Sequence, residues 1–276
     1  MDISINGKSA DITLESEQTI GEVLSGIEQW LQSSELRLKG LDIDGESVDS
    51  DAVDAVFTRD LQGIDSLDIK VCSRQELTLD ALGFARGYLE AFAGTEDREI
   101  LASGWKESAA ASYLAEEIPE IANAVTGTLS GSHTGALALV EERIRELADP
   151  QGELCRMEAA VTGIISRLEE LPLDIQTGKD GRAAETISLF SAIAEKFFRL
   201  FLILKSGARN TALDDLTIDS VPVMEFLEEF GAALKEILAA YGIKDVVLVG
   251  DLAEYELAPR LRTFYSAIRT SAVLPI

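Results

Sequence analysis

The feature that most restricts this chain is a change in the spacing of its apolar residues near position 75. Before it, apolar side chains recur at every second position in short runs. After it, they recur at every third or fourth position over long runs. A period of two sends alternate side chains to opposite faces of a strand, whereas a period near 3.6 lines one face of a helix. One sheet or one bundle satisfies only one of these periods. The chain therefore predicts an α+β protein with two domains, a strand-rich one over residues 1–74 and an all-α helical bundle over residues 75–276 with about six or seven helices. Two domains of this size bury sizeable cores without metals or bridges.

Within the first part, Ile3 and Ile5 share one face of a strand, and Asn6-Gly7 is a tight-turn pair. A second strand carries Ile12 and Leu14. Thr19 and Glu22 form a capping box for a helix whose Ile20, Val23, Leu24, Ile27, Trp30 and Leu31 fall on one face. Leu36, Leu38, Leu41 and Ile43 give a third strand, ended by Asp44-Gly45. Val53, Val56 and Phe57 mark a short helical turn or brief strand, and Leu67, Ile69 and Val71 give the last strand. This order of hairpin, helix, strand, short element and strand resembles a β-grasp, the fold of ubiquitin and of many small adaptor modules. The resemblance covers the first quarter of the chain and rests on element order. Ubiquitin-like carriers end in a free Gly-Gly tail. Here Val71-Cys72-Ser73 leads into more protein, so the carrier chemistry is not implied.

In the second part, helices are expected over residues 77–92, over 108–129 with Pro119 as a kink or break, and over 136–147. Pro150 starts a further helix running to about Leu171, and Pro172 to Gly181 reads as a loop. Residues 183–206 and 221–241 form two more helices. Asp251, with Glu254 three residues on, caps a last helix that Pro259 kinks or restarts.

The charge excludes several functions. With 24 Lys plus Arg against 49 Asp plus Glu, the chain carries −25. That is the wrong sign for tracking nucleic acid or for attraction to anionic lipid, so neither partner is expected. No run reaches the roughly 20 apolar residues of a membrane span, and Met1 to Ile5 does not resemble a signal peptide, so a cytoplasmic location is expected. Cys72 and Cys155 read as reduced thiols. The run Asp42, Asp44, Glu46, Asp49, Asp51, Asp54 lacks the glycine and twelfth-position Glu of a calcium loop and reads as a solvated acidic loop. No metal or cofactor is expected.

His133 is the single imidazole. It lies in the loop Gly127 to Gly135 beside Ser130 and Ser132, too close in sequence for an oriented relay, and no G-x-S-x-G elbow occurs. The same loop reads as a hinge rather than an anion cradle. Lys179 and Arg182 sit in a second polar loop and read as part of a capped turn. Carboxylates adjacent in sequence, such as Glu116/Glu117 and Glu169/Glu170, diverge by about 100° on a helix and share no pocket. Arg260, Arg262 and Arg269 follow Glu254 and Glu256 along the last helix, an order that matches the helix dipole. The alternative is that these arginines dock against acidic residues of the same protein or of a second copy.

The least generic stretch is residues 251–265. Tyr255, Glu256, Arg260, Phe264 and Tyr265 combine aromatic rings with both charges beside a proline, and they are the expected partner-binding residues. The expected function is therefore a non-enzymatic protein–protein interaction, as an adaptor or chaperone-like protein, using an acidic surface and an apolar helical groove. The partner is a basic protein or one with exposed apolar segments, and a homodimer is compatible with the acid-rich stretch and the arginine tail. Low pI with helical character is similar to bacterial secretion and flagellar chaperones. The alternative is a small-molecule-binding protein or enzyme with a site between helices near His133 or Tyr255 and Arg260.

Overall fold

Asn6 and Gly7 both take positive φ, at 52° and 73°, the backbone of a turn whose twist matches that of paired strands. It folds β1 (Asp2–Ile5) back onto β2 (Lys8–Ser9), with Ser4 opposite Ser9. Asp44 and Gly45, at 52° and 84°, repeat the device between β3 (Leu36–Ile43) and β4 (Glu46–Ser47). The computed structural model describes residues 1–12, 14, 16–33, 36–48, 56–132, 134–206, 213 and 215–273. His133 and, from the acidic run and its neighbours, Asp49, Asp51, Val53 and Asp54 lie outside the described residues.

The strand β5 (Ser66–Ser73) lies in the middle of the sheet, parallel to β1 and antiparallel to β3, in the order β2-β1-β5-β3-β4. The expected capping box opens α1 (Ile20–Ser33): Glu22 N donates to Thr19 Oγ1, and Thr19 N donates to Glu22 Oε2, both at 3.3 Å. Of the predicted face of α1, Ile20, Val23, Leu24, Ile27 and Leu31 pack on Ile3, Leu41, Ile43, Leu67 and Ile69 in an aliphatic core, while Trp30, expected on the same face, lies at its edge and stays 47% exposed. The spacing 36, 38, then 41, 43 changes phase, and a bulge between Leu38 and Gly40 absorbs it. The second strand is shorter than expected. After Ala10, whose N donates to Ile3 O at 3.0 Å, the chain leaves the sheet, and Ile12 and Leu14 pack half-buried against the core instead of pairing.

No linker follows the sheet. Ser73 N donates to Glu76 Oε2 at 2.8 Å and Glu76 N donates to Ser73 Oγ at 3.1 Å, so α2 (Arg74–Gly94) starts where β5 stops. Three further helices are α3 (Arg98–Glu107), α4 (Ala109–Glu117) and α5 (Pro119–Leu129). The expected helix over 108–129 is thus two. Pro119 occupies the first position of α5, where its missing N–H costs nothing, and Ile118 leaves helical geometry with φ −140°. The helix α3, absent from the sequence reading, is anchored by buried Trp105, whose Nε1 donates to Thr126 Oγ1 at 3.1 Å.

The chain separates into two compact units, Met1–Ile144 and Arg145–Ile276, the division falling within α6 (Ala136–Ala148). The second unit contains α7 (Pro150–Arg156), α8 (Glu158–Gln176), α9 (Asp180–Ser206), α10 (Val223–Gly242), α11 (Val246–Asp251) and α12 (Ala258–Val273). The α+β class holds, while the helices after residue 74 are more numerous than six or seven. The part after residue 74 is also not purely helical. Asp219 and Ser220, at φ 52° and 69°, turn a hairpin of β6 (Thr217–Ile218) and β7 (Val221–Pro222) ahead of α10.

Pro172 does not end α8, contrary to the expected loop. It lies within the last turns, where one lost backbone hydrogen bond is tolerated, and it packs against Gly250, where an added Cβ would come within 3.2 Å of the proline Cβ. Phe264 stands at the centre of this unit's core, with the rings of Phe197, Phe201, Phe226, Phe198 and Phe230 at centroid distances of 4.6 to 6.4 Å. Among the described residues no helix is long and apolar enough to cross a membrane.

Candidate functional site

The segment expected to bind a partner is not a helix capped by Asp251. Asp245 caps it, its Oδ1 accepting from Leu248 N at 3.1 Å, and Asp251 has ordinary helical angles. The helical path then runs from Val246 to Val273 through a wide π-helical turn, Leu252–Leu257, in which Ala258 N donates to Ala253 O five residues back. Pro259 explains the widening. In a regular helix its ring meets the carbonyl four residues earlier, at Tyr255, and the wide turn relieves that contact.

This turn brings Tyr255, Glu256 and Arg260 to the surface and leaves Phe264 and Tyr265 inside. Tyr255 is 66% exposed. A hydrogen bond to Glu254 and that carboxylate's charge push the phenol's pKa up. Arg260 Nη1 donates to Glu229 Oε2 at 2.8 Å and Nε to Glu256 Oε2 at 3.1 Å, and the Glu229 bond leads the upward shift of its pKa. Phe264 is fully buried as the hub of the ring cluster. Tyr265 is buried too, its hydroxyl donating to Leu154 O at 3.0 Å. Of the five residues expected to bind, Tyr255, Glu256 and Arg260 reach the surface, and the two deeper rings hold the helix in place.

The arginines overturn the dipole reading. With Glu254 and Glu256 in mid-helix, no helix start collects the acids. Instead Arg262 Nη2 donates to Glu169 Oε1 at 2.6 Å, Arg269 bonds Glu158, and Arg260 bridges Glu229 and Glu256. The tail docks on acidic residues of its own unit. Glu169 and Glu170 diverge as expected, the second reaching Arg182 at 2.5 Å.

An exposed apolar patch adjoins the segment at the turn from α10 to α11. Leu238, Tyr241, Ile243, Val246 and Val247 all face solvent, Ile243 at 76% and Val247 at 69%. Acids surround them in the sequence: residues 210–258 hold 11 Asp or Glu against Lys235 and Lys244. This patch is not legible in the sequence, because α10 carries apolar residues on most sides and periodicity does not say which side is covered.

The described polar side chains of the loops flagged by composition bond within the chain. Ser130 and Ser132 hydroxyls donate to Gly127 O at 3.0 and 3.1 Å, closing the end of α5. Lys179 and Arg182 both reach Asp174 Oδ1, at 3.2 and 3.3 Å, so the anion at that loop is a buried carboxylate of the chain.

A second structure-only feature is a buried charge network. Glu146 has no exposure, and both its oxygens accept from Arg199, at 3.1 and 3.3 Å. Lys196 Nζ donates to Glu153 Oε2 at 3.0 Å, and Arg156 Nε to Glu153 Oε1 at 2.9 Å. Burial pushes the Glu153 pKa up, but Lys196 and Arg156 outweigh it and hold the carboxyl below its ordinary range. Each of the two buried carboxylates is thus held by cationic side chains of the same unit.

In the first unit, a cleft of about 580 Å³ lies between β3, β5 and the start of α2, lined by Lys39, Asp42, Lys70, Cys72, Glu76 and Asp80 among others. Lys39 pairs with Asp80 at 2.5 Å, and Lys70 pairs with Asp42 at 3.2 Å and with Asp68. Burial pushes the Cys72 thiol up, which keeps it protonated. Cys72 is buried, Cys155 is exposed, and both are free thiols.

Comparison with known proteins finds two matches to family models. Residues 1–73 match the TP0873 N-terminal domain, and residues 155–267 match a domain of unknown function, DUF8042. Over 268 residues the chain is 24% identical to an "Uncharacterized protein" of Treponema pallidum (strain Nichols), a match covering 97% of this chain and 96% of that protein. No solved structure matches.

Proposed function

We propose that this chain is a non-enzymatic interaction protein, an adaptor or chaperone-like cytoplasmic protein that holds a partner bearing basic and apolar residues. Its N-terminal domain, residues 1–74, is a ubiquitin-like β-grasp. The strand order β2-β1-β5-β3-β4, the parallel pairing of β1 with β5 and the packing of α1 on one sheet face support that reading. The single observation behind the binding role is the exposed apolar patch at Leu238, Tyr241, Ile243, Val246 and Val247 within the chain's acid-rich stretch. Apolar side chains held in water favour association, and surrounding carboxylates select and steer cationic partners. Such acidity also keeps a protein with an open apolar surface soluble.

An array of short peptides varying independently in Lys/Arg and Leu/Phe content, probed with the full chain at low and high ionic strength, tests this. Binding should require both residue classes and weaken with salt. The double substitution Ile243→Lys, Val247→Lys should abolish it while leaving the circular dichroism spectrum unchanged. Binding that ignores salt, or that survives this substitution, overturns the reading.

A further inference from the structure

A groove of about 490 Å³ lies in the first unit between α1 and the segment that follows β2. One wall is the stripe Val23, Gly26, Ile27 and Trp30, spaced i, i+3, i+4, i+7 on α1. Ile5, Ile12 and Leu14 complete an apolar lining, and Asp11 and Glu17 bring carboxylates to it. Trp30 is 47% exposed, an unusual amount of indole to leave in water. Gly26 is the second observation. Glycine within a helix is unfavourable relative to alanine, yet a Cβ built at Gly26 meets nothing within 4 Å, and the position has no positive φ. Among the described residues nothing packs against that position. Its effect is to leave the middle of the groove wall open to close approach from outside.

We propose that this groove is a docking site, separate from the patch at residues 238–247, for a peptide segment of a partner protein that inserts a bulky apolar side chain over Gly26 beside Trp30 and presents a Lys or Arg to Asp11 and Glu17. Charge complementarity decides the class of occupant: residues 1–74 hold 16 acids against 6 bases, and both charged residues lining the groove are acidic. An acidic peptide would meet like charge, and a second copy of this chain would bring the same excess of acid.

Trp30 reports on the site directly, because the other tryptophan, Trp105, is 1% exposed and out of reach of an aqueous quencher. The probe is the heptapeptide Lys-Leu-Leu-Lys-Leu-Leu-Lys titrated into the full chain, with its Glu-for-Lys counterpart as control. The basic peptide should shift the emission to the blue and protect Trp30 from acrylamide, the acidic one should do neither, and Trp30→Phe should lose the signal. Gly26→Leu should remove binding while preserving or raising Tm. Asp11→Lys with Glu17→Lys should weaken the basic peptide by at least about tenfold. Equal binding of the two peptides, or full binding by a Gly26→Leu chain that keeps its circular dichroism, overturns the proposal. A blue shift that grows with protein concentration alone, matched by a larger mass in light scattering, overturns it in favour of a second copy. The patch variant Ile243→Lys, Val247→Lys should leave the Trp30 response unchanged, so the two sites stand or fall separately.

Discussion

Two of this protein's cores, the sheet's and the second unit's, are built on different chemistry. The sheet and α1 enclose only aliphatic side chains, with no buried ring and no buried carboxylate in the cluster. Its charged groups lie at the rim, where Asp68 accepts from Ser4 Oγ at 2.6 Å and from Gly7 N at 2.9 Å. The second unit instead gathers five phenylalanine rings around Phe264 and places fully or nearly buried Glu146 and Glu153 against Lys196, Arg199 and Arg156. A sheet has its register fixed by turns and alternation, so undirected aliphatic packing suffices. Helices slide and rotate against one another more freely. In this bundle, ring contacts and ion pairs with directional geometry tie the helices to one another.

The largest test of that contrast is Phe264→Ala, expected to cost about 3–5 kcal/mol in the second unit through the cavity it leaves. Both tryptophans belong to the first unit, so helical ellipticity should fall at lower denaturant than tryptophan emission does. Coincident loss of both signals breaks the picture of two separately organised cores. Glu146→Gln should cost about 3 kcal/mol, because it strips the buried counter-charge from Arg199, while Glu146→Met with Arg199→Met should recover most of that loss. Calorimetry of the single and double variants measures both.

In the first unit, the Lys70, Ser4 and Gly7 contacts hold the Asp68 carboxyl down to about 2. The folded value lies below the ordinary carboxylate range, so its contribution to stability is present above about pH 4 and fades as pH falls toward 2. Asp68→Asn should flatten that part of the acid-unfolding curve followed by tryptophan emission; an unchanged curve removes Asp68 from the account. Thr19→Ala, which loses one side of the capping box, should cost about 1 kcal/mol. Tyr255→Ala should change stability by less than about 0.5 kcal/mol, the usual result for an exposed side chain, while reducing peptide capture by the second unit.

Much of the first domain was legible because its signals are local. Asn6-Gly7, Asp44-Gly45, the Thr19/Glu22 box and the stripe from Ile20 to Leu31 each depend on neighbours a few residues apart. The helical part was less legible because its breaks depend on distant partners. Pro119 starts a helix and Pro172 stays inside one, and the difference lies in what each packs on, Gly250 in the second case. The candidate site divided in the same way: the stretch 251–265 stood out in sequence, but the π-helical turn before Pro259 determined that Tyr255 faces water while Phe264 is buried.

The sequence by itself determined the two periods, the turns and caps that follow from them, and the acidic excess, since these reside in residue type and short spacing. The tertiary structure alone decided where charges and apolar groups went. Arg260, Arg262 and Arg269 found glutamates on their own helix and on two others, Lys196 and Arg199 neutralised carboxylates more than forty residues away, and Trp30 and Ile243 were left uncovered. Pairing and exposure depend on which helix faces meet in space, and a one-dimensional pattern of spacing does not encode that meeting.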